Sequence, residues 1–277
     1  MLVIISDLHL TDGTTGTTIG PPAFEDFHKR LEELAFDASQ RSDKRYEAVD
    51  TLDLVLLGDV FDVIRSTRWH KQDEGANPVW PWDNWREDHF AAKIAQITDG
   101  ILEFNRESLA VLRSFSQAQA MTVPAGPDLS FSTRRIPMRV RVHYVVGNHD
   151  WYYHLPGAAY DAIRQKIVDA LGLCHGPGPF PHDPLESPAL MDAYERHRLF
   201  ARHGDIYDPF NYREEEGRDA ATLGDAIVVQ LINRFPDEVR ERMDHLPATF
   251  LDGLNELANV RPSLMVPVWI EGLLRGA

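Results

Sequence analysis

Residues 1–10 read MLVIISDLHL, five apolar residues and then Asp7 and His9 with one residue between them. An unbroken apolar run needs cover on both faces, so Met1 to Ile5 predict a core strand of an α/β sheet. Near the end of a strand, residues i and i+2 point the same way. Asp7 and His9 are therefore expected to aim together beyond the sheet's carboxyl edge, where open α/β sheets hold ligands. The pair does not decide the matter alone. With 26 Asp and 12 His in 277 residues, about one Asp-x-His arises by chance. A second one, Asp26-Phe27-His28, lies in AFEDFHKRLEELAFDA, where Phe24, Phe27, Leu31 and Leu34 recur at helical spacing. Positions i and i+2 on a helix diverge, so Asp26 and His28 are read as a solvated face.

The totals set limits. A length of 277 suggests one large α/β domain or one domain with insertions, long enough to bury a substantial core. The balance of 28 basic and 43 acidic residues, net −15, disfavours nucleic acid and anionic membrane as partners, although local basic clusters could still grip a phosphate. The single cysteine, Cys174, excludes an internal disulfide and fits a reducing compartment. No apolar run reaches transmembrane length, and no basic leader precedes the first strand, so a cytoplasmic location is expected.

Further along, a Gly/Thr-rich loop leads to a helix from Ala23 to Ser39 and then a second core strand, TLDLVLLGD. The loop after it holds four of the six tryptophans, among them WPWDNW, read as a flap packed over the next helix. That helix is expected from Asp83 to Ala120, with Phe90, Ile94, Ile97, Ile101, Phe104 and Leu112 as its core stripe. TVPAGPDLSFSTRRIP has turn chemistry, and RVRVHYVV reads as a third strand. A helix from Ala158 to Leu171 follows, and RHRLFARHGD is expected to be a fourth strand. From Asp219 the chain reads as helical, with breaks at Pro236, Pro247, Pro262 and Pro267. The division expected is a core over residues 1–218 and a helical cap or insertion over 219–277.

Each of these strands ends in a polar cluster: Asp7-Leu-His9, Gly58-Asp59-Val-Phe-Asp62, Gly147-Asn148-His149-Asp150 and His203-Gly204-Asp205. Singly, each reads as a turn carboxylate, an Asx turn or a surface histidine. As an ordered set they bring carboxylates, imidazoles and an amide to one sheet edge. That donor set suits Mn²⁺, Fe, Zn²⁺ or Mg²⁺ and lacks the thiolates of a structural zinc site. Glycines before Asp59 and Asn148 allow sharp turns and close approach.

In order and context these clusters resemble the signature of the calcineurin-like metallophosphoesterases over residues 1 to about 210, above all in GNHD. HGDIYD is similar to the branch containing the UDP-2,3-diacylglucosamine pyrophosphatases. The resemblance implies a four-layer αββα sandwich and a dinuclear metal centre. It implies that Asp7 and His9 hold one metal, that Asp59 bridges, and that Asn148 and His203 hold the second. His149 would touch the scissile phosphate and protonate the leaving oxygen, with Asp150 orienting its ring. Such chemistry has an independent rationale. Two divalent cations about 3.5–4 Å apart offset a phosphoester's charge and bring the pKa of bound water towards about 7.

The family pattern ends in Gly-His-x-His, which this sequence lacks; after His203 its one histidine is His245, in a helical context. Two explanations are open: the chain stops before the motif, which is the one favoured, or the protein lacks those ligands. On the first, the 277-residue chain is expected to bind metal poorly and to show little or no turnover. Arg65, Arg68 and Trp69 follow the Asp59 loop and are candidates for gripping phosphate and stacking on substrate. The leading expectation is a metal-dependent hydrolase of phosphodiester or pyrophosphate bonds in a small-molecule or lipid-linked substrate. The alternative is a catalytically silent scaffold acting as a binding module.

Overall fold

Three of the apolar runs pair as expected. The computed structural model describes residues 1–16, 18–71, 78–127, 134–243, 246–260 and 265–276. Its strands are β1 (Leu2–Ile5), β2 (Thr51–Leu57), β3 (Thr122–Pro124), β4 (Arg135–Pro137) and β5 (Arg139–Val145). A parallel sheet has the order β1–β2–β5, with Leu2 opposite Asp53 and Thr51 opposite Arg139. Alternate residues of β2 serve opposite faces, which is why its run is continuous. Leu52, Leu54 and Leu56 join the main core, whereas Val55 and Leu57 pack with Val145, Leu190 and Tyr194.

The helices are α1 (Pro21–Ser39), α2 (Asp88–Phe104), α3 (Arg106–Ser114), α4 (Ala158–Leu171), α5 (Pro188–His197), α6 (Leu223–Ile227), α7 (Arg234–Arg242), α8 (Ala248–Gly253) and α9 (Val266–Gly276). The architecture is mixed α/β. Among the described residues its sheets are this parallel one and an antiparallel ribbon of β3 and β4. No described helix is long and apolar enough to cross a membrane.

Several expectations are corrected. The helix expected over 83–120 starts at Asp88 and breaks at Asn105. Asn105 leaves helical geometry at φ −100 and ψ 17 while its N still donates to Ile101 O at 3.0 Å. Its buried side chain donates from Nδ2 to Thr11 O at 2.7 Å and to Ile101 O at 2.8 Å, tying the break to the loop after β1. Phe104 leaves the stripe at the break and is 55% exposed, beside Gly13, while Phe90, Ile94, Ile97, Ile101 and Leu112 stay buried. His28 is half-buried, its ring 5.3 Å from Phe115 and its Nε2 3.2 Å from Ala120 O; Asp26 alone keeps the solvated reading. Part of the expected turn segment forms β3 and β4, with Val123 opposite Ile136.

The fourth strand does not form. Helix α5 runs to His197, and Arg198 then turns the chain through φ 52 while Leu199 N donates to Tyr194 O at 3.0 Å. His203 arrives on an irregular segment instead.

Beyond Asp219, prolines mark helix starts more than breaks. Pro247 precedes α8 and Pro267 lies in the first turn of α9, where a missing N–H costs nothing, whereas Pro236 lies in a helix continuous with the residues before α7. Pro262 lies outside the described residues. A π-helical stretch, Val228–Asn233, joins α6 to α7. Asn233 Nδ2 ties it to Ile64 O at 2.7 Å, and Val229 O is 2.8 Å from His70 Nε2. Val239, Phe250 and Leu254 form a small core of their own.

Candidate metal centre

Beyond the last paired residues of the sheet, the backbone keeps its register. Asp7 N donates to Gly58 O at 3.1 Å, His9 N to Asp59 O at 2.9 Å and Leu10 N to Val60 O at 3.0 Å. To do so it bends into the left-handed region at Asp7 (φ 57), His9 (φ 47) and Asp59 (φ 53), three of six such non-glycine residues among those described. Such conformations cost about 1–3 kcal/mol each and persist where surrounding structure holds them, typically at functional sites. Gly58 (φ 81) precedes the turn at Asp59. A methyl on Gly147 would collide with Asp59 Oδ1 and come within 2.7 Å of His203 Nε2, so this glycine is required for space.

These turns point four side chains at the buried Asp59. His203 Nε2 is 3.3 Å from Asp59 Oδ2, and His9 Nε2 and His149 Nε2 are each 4.0 Å from the same oxygen. Asp7 Oδ1 lies 3.8 Å from His9 Nε2. Among the described residues, His9–Asp59–His149 and Asp7–Asp59–His203 each bring donor atoms close enough to hold a metal ion. Both groups contain Asp59, the place a bridging carboxylate would occupy. Asn148 Oδ1, 3.3 Å from His203 Nε2, adds an amide oxygen beside the second group.

The imidazoles are held from behind. Asp62, fully buried, lies 2.9 Å from His9 Nδ1 through Oδ2 and 2.7 Å from His149 Nδ1 through Oδ1. His203 Nδ1 lies 3.1 Å from Leu57 O, an acceptor only, so it donates. In each ring the proton on Nδ1 leaves Nε2 facing the centre, the arrangement of histidines that ligate metals.

Without cations, the charges of the centre govern one another's protonation. Burial alone would raise Asp59, but the His149 charge and the His203 hydrogen bond hold it well below the usual carboxylate range. Asp62 is likewise held well below the usual carboxylate range, against its burial, by the charges of His149 and Arg65. Burial opposes charge on His149, yet Asp62 and Asp59 raise it to about 9; Asp59 likewise overrides burial at His203 and raises it to about 10. Carboxylate oxygens and imidazole Nε2 atoms converging on one point fit a divalent cation of the Mn²⁺, Fe, Zn²⁺ or Mg²⁺ kind, which would take the place of the ring protons.

The structure thus brings together Asp7, His9, Asp59, Asn148, His149 and His203, although it groups His9 with His149 rather than with Asp7. Asp150 does not orient the His149 ring. It accepts from Gly147 N at 2.6 Å, Val60 N at 2.9 Å and the Tyr144 hydroxyl at 2.6 Å, bracing two strand tips, and burial with the Asp59 charge pushes it up to about 6. Asp62 takes the orienting role; its place in Gly-Asp-x-x-Asp was the available signal.

The three substrate candidates are engaged within the protein. Trp69 is fully buried, its Nε1 donating to Val63 O at 2.9 Å, so it offers no face for stacking. Arg65 is buried against Asp62, with Nη1 3.3 Å from Oδ2. Arg68 pairs with the buried Asp12 at 2.8 Å. Trp80 and Trp82 of WPWDNW stack on each other, centroids 5.6 Å apart. His245 lies outside the described residues. No protein-family model, curated protein or solved structure matches the chain.

Proposed function

We propose that this chain is a metal-dependent phosphoester hydrolase of the calcineurin-like metallophosphoesterase type, acting on phosphodiester or pyrophosphate bonds. One observation carries the reading: two His/Asp donor groups share the carboxylate of Asp59 at the carboxyl edge of a parallel sheet. When bound there, a pair of divalent cations, Mn²⁺ foremost, would offset phosphate charge and supply hydroxide at neutral pH.

The chain's own residues do the rest. Asp59 would hold both ions, His9 and Asp7 would serve from the β1 tip, and Asn148 and His203 from the opposite side. Asp62 fixes His149 Nδ1, so any proton that His149 gives to a leaving oxygen comes from Nε2, the nitrogen facing Asp59. In this reading His149 stays off the metal, leaving Asp7, His9, Asp59, Asn148 and His203 as the ligands. The Asp7 side chain is 56% exposed, which leaves that flank of the centre open to substrate. The four-layer αββα sandwich belongs to this proposal, with β1–β2–β5 as part of one of its sheets.

Among the described residues no Gly-His-x-His occurs, so fewer donors are in hand than the family pattern carries. We therefore expect weak uptake that needs excess Mn²⁺. Electron paramagnetic resonance of free Mn²⁺, together with hydrolysis of generic phosphodiester, monoester and pyrophosphate substrates, tests this. Any turnover should be slight, should depend on the added divalent cation and should vanish in Asp59→Asn. Uptake without turnover would favour the binding module, and no uptake at any concentration would end the metal-centre reading.

A further inference from the structure

At the outer edge of β5 a thiol, an imidazole and a carboxylate line up. Gly172, at φ 65, ends α4, and Cys174 N then donates to Val142 O at 3.0 Å, which lays Cys174 along the strand. Its Sγ lies 3.5 Å from His143 Nδ1, and His143 Nε2 lies 3.0 Å from Asp53 Oδ1 on β2. Cys174 is exposed, whereas the side chains of His143 and Asp53 are 4% and 2% exposed. A nucleophile beside an imidazole that a third group orients is the arrangement of activated nucleophiles. Asp53 lies well before the carboxyl end of β2 at Leu57, about 13 Å away at the usual strand rise, so this cluster stands apart from the candidate metal centre.

The ring is a cation at neutral pH. Burial disfavours its charge, but the hydrogen bonds to Asp53 and Cys174 prevail and raise His143 to about 9, so both ring nitrogens carry protons. Asp53, which only accepts, takes Nε2–H, and Nδ1–H is left for the sulfur. The charged and titratable groups around the ring are Asp53 from β2, Arg141 from β5, Arg196 from α5, and Cys174 and His175 from the segment after α4. Arg141, its side chain 32% exposed, is the second cation close enough to feel charge on Cys174.

A thiol attacks through its thiolate, and here the N–H of a buried cation points at the sulfur that must carry that charge. Arg141 beside it favours an incoming group that is itself anionic. We propose that Cys174 is a thiol–disulfide exchange site that takes a small anionic disulfide. Cys174 Sγ attacks one sulfur of that disulfide, and a new S–S bond forms as the old one breaks. Cys174 is oxidised and the released half is reduced. The Cys174 thiol gives its proton to water and the released thiolate takes one from water, so His143 keeps its charge throughout. Cys174 is the one cysteine of the chain, so an external thiol is needed to reverse the modification. The inference does not depend on the hydrolase reading.

Mass spectrometry of the full chain, incubated with glutathione disulfide (anionic) or hydroxyethyl disulfide (neutral), tests it. At pH 7 the folded chain should form the glutathione adduct about tenfold faster than the same chain unfolded in urea, the effect of a hydrogen bond to a charged group. His143→Gln should lose most of that advantage at pH 7. Parent and variant should converge by pH 10, where His143 has lost its proton; a purely structural role would not follow pH in this way. Relative to the unfolded chain, the folded one should also favour the anionic disulfide over the neutral one, and added salt should remove that preference. Equal rates in the folded and unfolded chain, or no preference for the anion, overturn the proposal and leave Cys174 an ordinary exposed thiol. The comparison of folded with unfolded parent needs no variant, so a folding defect in His143→Gln leaves the outcome decisive.

Discussion

Asp62 accepts at both carboxylate oxygens, one from His9 and one from His149, and is fully buried while doing so. It also accepts from Arg65 N at 3.2 Å. An amide in its place has one accepting oxygen and no charge, so Asp62→Asn would free one imidazole to rotate or to change tautomer. Losing an outer partner of this kind typically costs about 10–100-fold in metal affinity. We expect a loss of that size for Asp62→Asn, measured as Mn²⁺ uptake by electron paramagnetic resonance; unchanged uptake would remove Asp62 from its orienting role. At this scale the sequence exposed residue types but not partners. The Gly-Asp-x-x-Asp pattern presents Asp62, yet nothing local says that its oxygens meet rings 53 and 87 positions away. Asp150, the neighbour of His149 in sequence, braces Gly147, Val60 and Tyr144 instead.

The strand tips, as elements, bring the centre together, and Gly147 shows how tightly. Its position at the end of β5 leaves Asp59 Oδ1 and His203 Nε2 the space that a side chain would fill. Gly147→Ala should therefore abolish Mn²⁺ uptake by displacing Asp59 and His203, while β2 and β5 stay paired. Circular dichroism close to that of the parent, alongside lost uptake, is the expected result; normal uptake would show that the tips can yield. β1, β2 and β5 are legible in the sequence because an apolar run and its polar end are local properties of the chain. The break at Asn105 is not, because it is tied to the carbonyl of Thr11, supplied by a distant loop. The fourth strand is a false expectation because Leu199, Phe200 and Ala201 resemble a short core run. In the structure α5 ends in a left-handed turn at Arg198, which leaves Leu199 and Phe200 partly exposed.

Across the whole molecule, the far side of the sheet holds a second buried charge cluster. Asp53, 2% exposed, receives His143 Nε2 at 3.0 Å, Arg141 Nη2 at 2.8 Å and Arg196 Nη2 at 3.0 Å, joining β2, β5 and α5. Burial opposes charge on His143, but its hydrogen bond to Asp53 prevails and raises it to about 9. A raised pKa means that the folded state binds the proton more tightly than the unfolded chain does. The stabilisation is thus complete below about pH 6.5 and is lost as pH rises through about 9, at most about 3 kcal/mol. Urea unfolding at pH 6 and pH 10 should show that loss in the parent and a smaller one in His143→Gln; equal slopes in the two would exclude His143 as its source. The amino-acid sequence by itself determined that apolar strands end in carboxylate, amide and imidazole groups, since strand period and residue type are local. Only the tertiary structure decided which carboxylate orients which ring, that Trp69 is buried and that His203 arrives without a strand. Each of those depends on groups far apart in the chain, brought together by packing that no local pattern encodes.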